Sequence, residues 1–154
     1  MLRLLIAFLL SLALSSIASA QQIVGTWKLI SFTSNYDDGS SVDPFGKQPN
    51  GYLVITPKRL MALLVSDTRK AGATPDDKVA LLNSIISYSG PYRLEGTRLV
   101  TDVDVSWNQA WTGSKQGRTF TFEGNRLTLV TDKARSAQHP TKSVISTLVW
   151  ERIE

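Results

Sequence analysis

The stretch that is most informative about the fold reads Gly25-Thr26-Trp27-Lys28-Leu29-Ile30-Ser31-Phe32, with a glycine two residues before a tryptophan at the start of a strand. In a small closed barrel, a large indole on the first strand can fill one end, and a glycine lets the chain bend tightly at the rim. The remaining chain contains short strands joined by turns, a pattern typical of such barrels. We therefore predict that Gly25 and Trp27 are structural residues at one barrel end.

The rest of the chain contributes seven more predicted strands and one helix. The helix begins at Thr74-Pro75-Asp76-Asp77, which combines a hydroxyl N-cap, a proline at the first helical position and acids in the first turn. Apolar residues at helical spacing extend it to about Ser87, and we expect its apolar face to pack on the barrel rather than act as a mobile lid. The predicted strands are residues 24–32, 52–56, 59–66, 88–94, 98–107, 115–122, 126–131 and 143–152. Short hairpin connections such as Glu95-Gly96-Thr97 and Gly124-Asn125 favour neighbouring antiparallel strands. The predicted fold class is all-β, an eight-stranded antiparallel up-and-down barrel with one helix between strands three and four.

The segment before the first strand is predicted to be a secretory signal peptide, residues 1–20. It has one positive charge at Arg3, an apolar run over residues 4–14 and the small-x-small site Ala18-Ser19-Ala20. The apolar run is short for a membrane span, so an uncleaved anchor helix is the less favoured alternative. Cleavage leaves one domain, residues 21–154, which we expect to be periplasmic or extracellular and not bound to the membrane.

Composition limits the partners and the chemistry. The chain has no cysteine and a single histidine, His139, so the sequence offers no zinc ligand set, and it contains neither a glycine-rich phosphate loop nor a nucleophile elbow. We predict no metal and no cofactor. Without Arg3, 16 Lys and Arg face 13 Asp and Glu, a net charge of +3. The basic residues are scattered without interleaved aromatics, which argues against nucleic acid. No pattern indicates an oligomeric state.

Candidate polar groups for the barrel interior lie on predicted strands five and six. On strand six, Gln116 and Arg118 share a face with Phe120 and Phe122. Because the phenylalanine face is expected to be buried, we predict that Gln116 and Arg118 point inward near one barrel end.

Strand five can pair with strand six in two ways that differ by one residue. Asp102, Asp104 and Ser106 alternate along one face, and Val103, Val105 and Trp107 along the other. If Asp104 faces Arg118, the aspartates line the interior; a slip of one residue instead brings in the three apolar side chains. Hydrophobic patterning alone favours the slipped register.

Four segments in order resemble the lipocalin-like domain family of small bacterial and fungal proteins, over essentially the whole mature chain. They are residues 25–29, 51–57 (GYLVITP), 88–92 (YSGPY) and 111–118 (WTGSKQGR). The resemblance implies a β-barrel with a small-ligand-binding role, and it favours the register with a polar interior. Asp102 stands where a histidine is common in that family, so the resemblance implies no imidazole chemistry here.

The first strand also resembles that of fatty-acid-binding proteins, which place two helices directly after it and hold a carboxylate with an arginine-x-tyrosine pair near the C-terminus. Here a loop follows the first strand, and the C-terminal stretch reads Thr147-Leu148-Val149-Trp150-Glu151. No carboxylate can be held by that stretch. We therefore reject that ligand assignment.

The first functional hypothesis is an exported barrel that binds a small, largely apolar molecule with a polar handle near Arg118. Tyr88 and Tyr92 are expected to supply hydroxyls at the same mouth, while Trp111, beside Trp107, stacks a flat ligand or fixes a turn. The predicted ligand-binding residues are Arg118, Gln116, Asp104, Asp102, Ser106, Tyr88, Tyr92, Trp111 and Phe120.

Two alternatives from other classes remain open. The first is a cofactor-free isomerase or cyclase that uses Asp102 or Asp104 as the base and Arg118 or Tyr92 as the electrophile. The second is a protein-binding or inhibitor module that presents the loop of residues 35–50. We favour binding over catalysis, and the barrel interior discriminates, because an enclosed cavity supports the first two hypotheses and a filled interior the third.

Overall fold

The computed structural model describes residues 22–135 and 141–154. The predicted signal peptide and His139 lie outside these residues. Within these ranges no helix is long and apolar enough to cross a membrane.

The described chain forms a closed antiparallel β-barrel. In chain order its elements are β1 (Gly25–Tyr36), β2 (Ser41–Val42), β3 (Asn50–Ile55), β4 (Arg59–Val65), α1 (Pro75–Asn83), β5 (Ile85–Glu95), β6 (Arg98–Asp102), β7 (Val105–Ser106), a 3-10 turn (Gln109–Trp111), β8 (Lys115–Glu123), β9 (Arg126–Thr131), β10 (Ala134–Arg135) and β11 (Ser143–Arg152). Eight long strands pair in the order β1-β3-β4-β5-β6-β8-β9-β11, and β11 pairs back with β1, which leaves none of these eight as an open edge. The prediction of an all-β, eight-stranded antiparallel barrel with one helix is therefore confirmed.

Helix α1 differs from the prediction in position, length and packing. It follows β4 rather than the third strand, because the unpredicted two-residue strand β2 adds one to the count. It ends at Asn83 instead of near Ser87, since Ile85 and Ile86 pair with β4. The predicted packing of its apolar face is wrong, because no helix residue is buried and Val79 and Leu82 are more than half exposed, 57% and 53%.

Trp27 lies at one end of the barrel, which we call the sealed end. Its side chain is 1% exposed, and its Nε1 donates a hydrogen bond to the Ile23 carbonyl at 3.1 Å. The Arg152 guanidinium lies 4.1 Å from the ring centroid, within cation–π distance. Gly25 has a φ of 149°, and a Cβ there would collide with the Arg152 guanidinium and the Glu154 carbonyl. Glycine thus lets the two chain ends approach beside the buried indole.

The register of β6 against β8 decides which side chains face the interior. Leu99 pairs with Arg118, and Asp102 pairs with Lys115, so the odd-numbered residues of β6 share the inner face. The predicted register, with Asp104 facing Arg118, is wrong.

A β-bulge between β6 and β7 then changes the alternation. Tyr92 pairs with Thr101, but Tyr88 pairs with Ser106, so the register against β5 shifts by one residue. Val103 is buried as the slipped register requires, whereas Val105 is 58% exposed. The bulge therefore turns Val105 outward, although the alternation that buries Val103 would bury it as well.

Candidate functional site

A cavity of about 420 Å³ occupies the end of the barrel opposite Trp27. Its volume falls within the usual range for small-molecule sites. The floor and walls are apolar and come from five strands: Phe32, Leu53, Ala62, Leu64, Leu129, Leu148 and Trp150. The polar and aromatic members lie near the mouth: Tyr88, Trp111, Gln116, Arg118, Thr131, Asp132 and Ser146. The interior is therefore hollow and of mixed polarity, which does not fit the filled interior expected of a protein-binding module.

Trp150 forms part of the cavity lining and is 1% exposed. Its Nε1 is the one buried side-chain polar atom in the described ranges without a hydrogen-bond partner. An unsatisfied buried donor costs about 1–3 kcal/mol. The deep part of the site is thus apolar except for this indole N–H.

Arg118 points into the cavity, as its alternation with Phe120 and Phe122 predicts. Its Nη1 donates to the Gly117 carbonyl at 2.7 Å, and its Nη2 donates to Gln116 Oε1 at 3.3 Å. The Gln116 amide is oriented in turn by donating to Ser114 Oγ at 3.0 Å. Among residues 22–135 and 141–154, no carboxylate forms an ion pair with Arg118. A half-buried guanidinium is therefore held only by neutral acceptors.

Two cations beside Arg118, Arg98 and Lys115, are in ion pairs. Arg98 binds Asp132 with both terminal nitrogens, at 2.5 and 2.6 Å. The hydrogen bonds from Arg98 lower the pKa of Asp132, and the charge of Arg118 adds a smaller contribution. The pair crosses β8 directly over Gly117, where a Cβ would overlap the ends of the Arg98 and Asp132 side chains. Lys115 is in an ion pair with Asp102.

The two aspartates predicted for the cavity lie on the outer surface, which corrects that assignment. Asp104 accepts two hydrogen bonds from Arg59, at 2.9 and 2.7 Å, and Asp102 pairs with Lys115 and with Arg93 at 3.2 Å. These cations lower the pKa of each carboxyl, chiefly through Arg59 for Asp104 and Lys115 for Asp102. Carboxylates with lowered pKa are weak bases. The isomerase or cyclase hypothesis built on them therefore loses its proposed base.

Three further predicted residues do not line the cavity. The Tyr92 hydroxyl donates to the Thr56 carbonyl at 3.0 Å, in the turn between β3 and β4 near the sealed end, so it supplies no hydroxyl at the mouth. Phe120 is buried in the core below Arg118, with its ring edge-on to Phe122 at 5.7 Å. Ser106 donates to the Asn108 carbonyl at 2.7 Å and borders a groove on the outer wall.

Tyr88 and Trp111 do line the mouth, as predicted from the sequence. Their ring centroids are 5.6 Å apart, and Trp111 stands edge-on to Trp107 at 4.9 Å. The Asn108 side chain accepts a hydrogen bond from the Ala110 amide at 3.0 Å and so begins the 3-10 turn that carries Trp111. The indole thus belongs both to the turn and to the cavity wall.

Several lining residues were not identified from the sequence, notably Asp132, Thr131 and Ser146. The short turn at Gly124-Asn125 pairs Glu123 with Arg126 and thereby sets Thr131 opposite Arg118. Counting residues along β9 from that turn gives the positions of Thr131 and Asp132 relative to Arg118. Within the described part of the chain, no group of three or more His, Cys, Asp or Glu side chains is placed to hold a metal ion.

The loop between β1 and β3 is the surface that the protein-binding hypothesis requires. Its Phe45 is buried, with its ring centroid 5.3 Å from that of Phe32, so its largest apolar side chain packs into the barrel. Val42 is the exposed apolar residue of this loop, at 43%. The loop therefore covers one side of the mouth instead of presenting an apolar surface.

Comparison with known proteins gives a family match and two similar folds. A model described as a lipocalin-like domain matches residues 24–153. A lipocalin-like protein from Bacteroides uniformis has 14% sequence identity and a TM-score of 0.44, with 85% of this chain and 98% of that chain covered. An uncharacterized protein from Bacteroides eggerthii has 13% identity and a TM-score of 0.42, with 84% and 98% covered. No curated protein sequence matches this chain.

Proposed function

Since this chain belongs to the lipocalin-like domain family, we propose that it binds a small, largely apolar molecule inside the barrel, with a polar handle of that molecule against Arg118. The observation that carries the proposal is the composition of the cavity. Its floor is apolar, and the guanidinium at its mouth is held only by neutral oxygens. A hollow apolar site with a few convergent polar groups is the usual form of a ligand pocket.

A neutral fluorescent probe, N-phenyl-1-naphthylamine, tests the apolar part of this proposal without involving charge. Ala62 is buried and lines the cavity as well as the base of the outer groove, whereas its neighbour Met61 is 53% exposed and borders the groove alone. We expect wild type and Met61→Ser to enhance the probe's fluorescence equally, and Ala62→Leu, which fills part of the cavity, to bind several-fold more weakly. Loss of binding in Met61→Ser with Ala62→Leu unchanged would place the probe on the outer wall and contradict the proposal. Native mass spectrometry of the purified protein would show any co-purified molecule.

We further propose that the protein is exported and that the domain begins at Gln21. The support is the order of charge, apolar run and small-x-small site in residues 1–20. N-terminal sequencing of protein from its native host should start at Gln21. A start at Met1 would contradict export by this route.

A further inference from the structure

We infer that the polar handle is a single carboxylate, so that the ligand is an apolar monocarboxylic acid with its carboxylate at Arg118 and its apolar body toward Trp150. This inference rests on the proposed function and names the ligand class of the same cavity.

The charges at the mouth favour an anion. The two cations beside Arg118, on β6 and β8, have carboxylate partners, Asp132 for Arg98 and Asp102 for Lys115. Arg118 is left with one uncompensated positive charge at the edge of an apolar interior, where a charge is stabilised best by a paired and hydrogen-bonded counter-charge. An alcohol or a ketone would accept a hydrogen bond there but leave that charge uncompensated.

The geometry of the guanidinium suits a carboxylate. The group has five N–H donors in a planar fork, and it uses two of them on Gly117 and Gln116. The remaining donors can bind both oxygens of one carboxylate, the arrangement for which arginine is better suited than lysine.

The charge of Arg118 favours a ligand with one negative charge. Asp132 borders the cavity, but its carboxylate is paired with Arg98 by two hydrogen bonds over the outward side of Gly117. A phosphate monoester carries nearly two charges near neutral pH, and Arg118 balances only one of them. A monoanion balances Arg118 without an excess.

The test compares decanoate, decanol and decyl phosphate by calorimetric titration at about pH 7, where the carboxylic acid is ionised. We expect wild type to bind decanoate about tenfold or more tightly than decanol, and more tightly than decyl phosphate. Arg118→Leu should abolish the preference by weakening decanoate binding much more than decanol binding, and Arg118→Lys should keep part of it. Arg126→Leu, an exposed arginine on β9 beside the turn at the sealed end, is the matched control and should behave as wild type.

Each contrary outcome has a distinct meaning. Equal binding of decanoate and decanol, or tighter binding of decyl phosphate, overturns the carboxylate inference and leaves the proposed function standing. Binding of N-phenyl-1-naphthylamine without either decanoate or decanol also overturns the inference alone. Failure of all four compounds to bind contradicts the proposed function itself. A circular dichroism spectrum and a melting curve for each variant show that it is folded.

Discussion

At the scale of single residues, Trp27 is fixed by three kinds of contact: burial among core side chains, a hydrogen bond from Nε1 to Ile23, and the Arg152 guanidinium over its ring. We expect Trp27→Ala to lower the free energy of unfolding by about 3–5 kcal/mol, as large-to-small core substitutions do. Urea denaturation measures the change. Trp107→Ala, which removes a half-exposed indole, is the control and should cost less; equal midpoints for both variants would show Trp27 to be peripheral.

A second residue-scale prediction concerns Asp104 and Arg118, which the sequence suggested as partners. Asp104 instead pairs with Arg59 on the outer wall. We therefore expect Asp104→Asn to leave decanoate affinity unchanged. We also expect the double variant to bind decanoate as weakly as Arg118→Leu alone, because the two side chains do not interact. Binding measured on the two single variants and the double variant gives the coupling. A coupling energy clearly different from zero would indicate that Asp104 and Arg118 interact, which would contradict their placement on opposite faces of the barrel wall.

At the scale of strands, the bulge between β6 and β7 depends on Gly90. A Cβ at this position would collide with the Asp102 carbonyl oxygen and come within 3.1 Å of the Val103 Cα. Both are backbone atoms that cannot move without disturbing the ladder, so Gly90→Ala should destabilise the fold by about 1–3 kcal/mol. Urea denaturation measures the loss, and Ser87→Ala on the same strand is the control. Wild-type stability of Gly90→Ala would mean that the strands are further apart than described.

Helix α1 is held by its capping box more than by packing. Thr74 Oγ1 accepts a hydrogen bond from the Asp77 amide, and the Asp77 carboxylate accepts from Thr74 N at 3.0 Å. The Thr74 hydroxyl, which donates to the Asp77 carboxylate at 2.7 Å, and the Thr74 amide lower the pKa of Asp77. The contribution of these two bonds is therefore complete above the unfolded carboxyl pKa and is lost as the pH falls through the lowered folded value, below about pH 4.

We expect Thr74→Ala to speed amide hydrogen exchange in Pro75–Asn83 while exchange in the barrel strands stays unchanged, since no helix residue is buried. Mass spectrometry after exchange reads both regions in one experiment. The neighbouring substitution Asp76→Asn is the control for a first-turn charge outside the box. Faster exchange in the strands as well would show that the helix supports the barrel.

The same elements show what the sequence could and could not predict. The inward direction of Arg118 follows from alternation within one strand, and the pairing of β8 with β9 follows from the turn at Gly124-Asn125, so both are local properties. The positions of Asp102 and Asp104 depend on pairing between strands and on a one-residue bulge, which alternation does not reveal. The end of α1 was misplaced because Ile85 and Ile86 fit helical spacing but gain more by pairing with β4.

At the scale of the whole molecule, stability and binding are separated along the barrel axis. Core side chains fill the end around Trp27, whereas the cavity, the loop carrying Phe45 and the turn carrying Trp111 lie toward the other end. We expect Trp111→Ala to weaken N-phenyl-1-naphthylamine binding with little change in melting temperature, and Trp27→Phe to do the reverse. Fluorescence titration and thermal denaturation of both variants test this. A parallel loss of binding and stability in both would contradict the separation.

The contacts of Arg152 determine where a surface or a fusion partner joined to the C-terminus would lie relative to the cavity. Its guanidinium binds the carbonyls of Gln22 and Val24, and the Thr26 amide donates to the Glu154 carbonyl at 3.1 Å, so both ends of the described chain meet beside Trp27. A sensor surface, a dye or a fusion partner joined after Glu154 would stand at the pole facing away from the mouth. A molecule immobilised in this way would keep its opening turned toward the solution, free to exchange its contents.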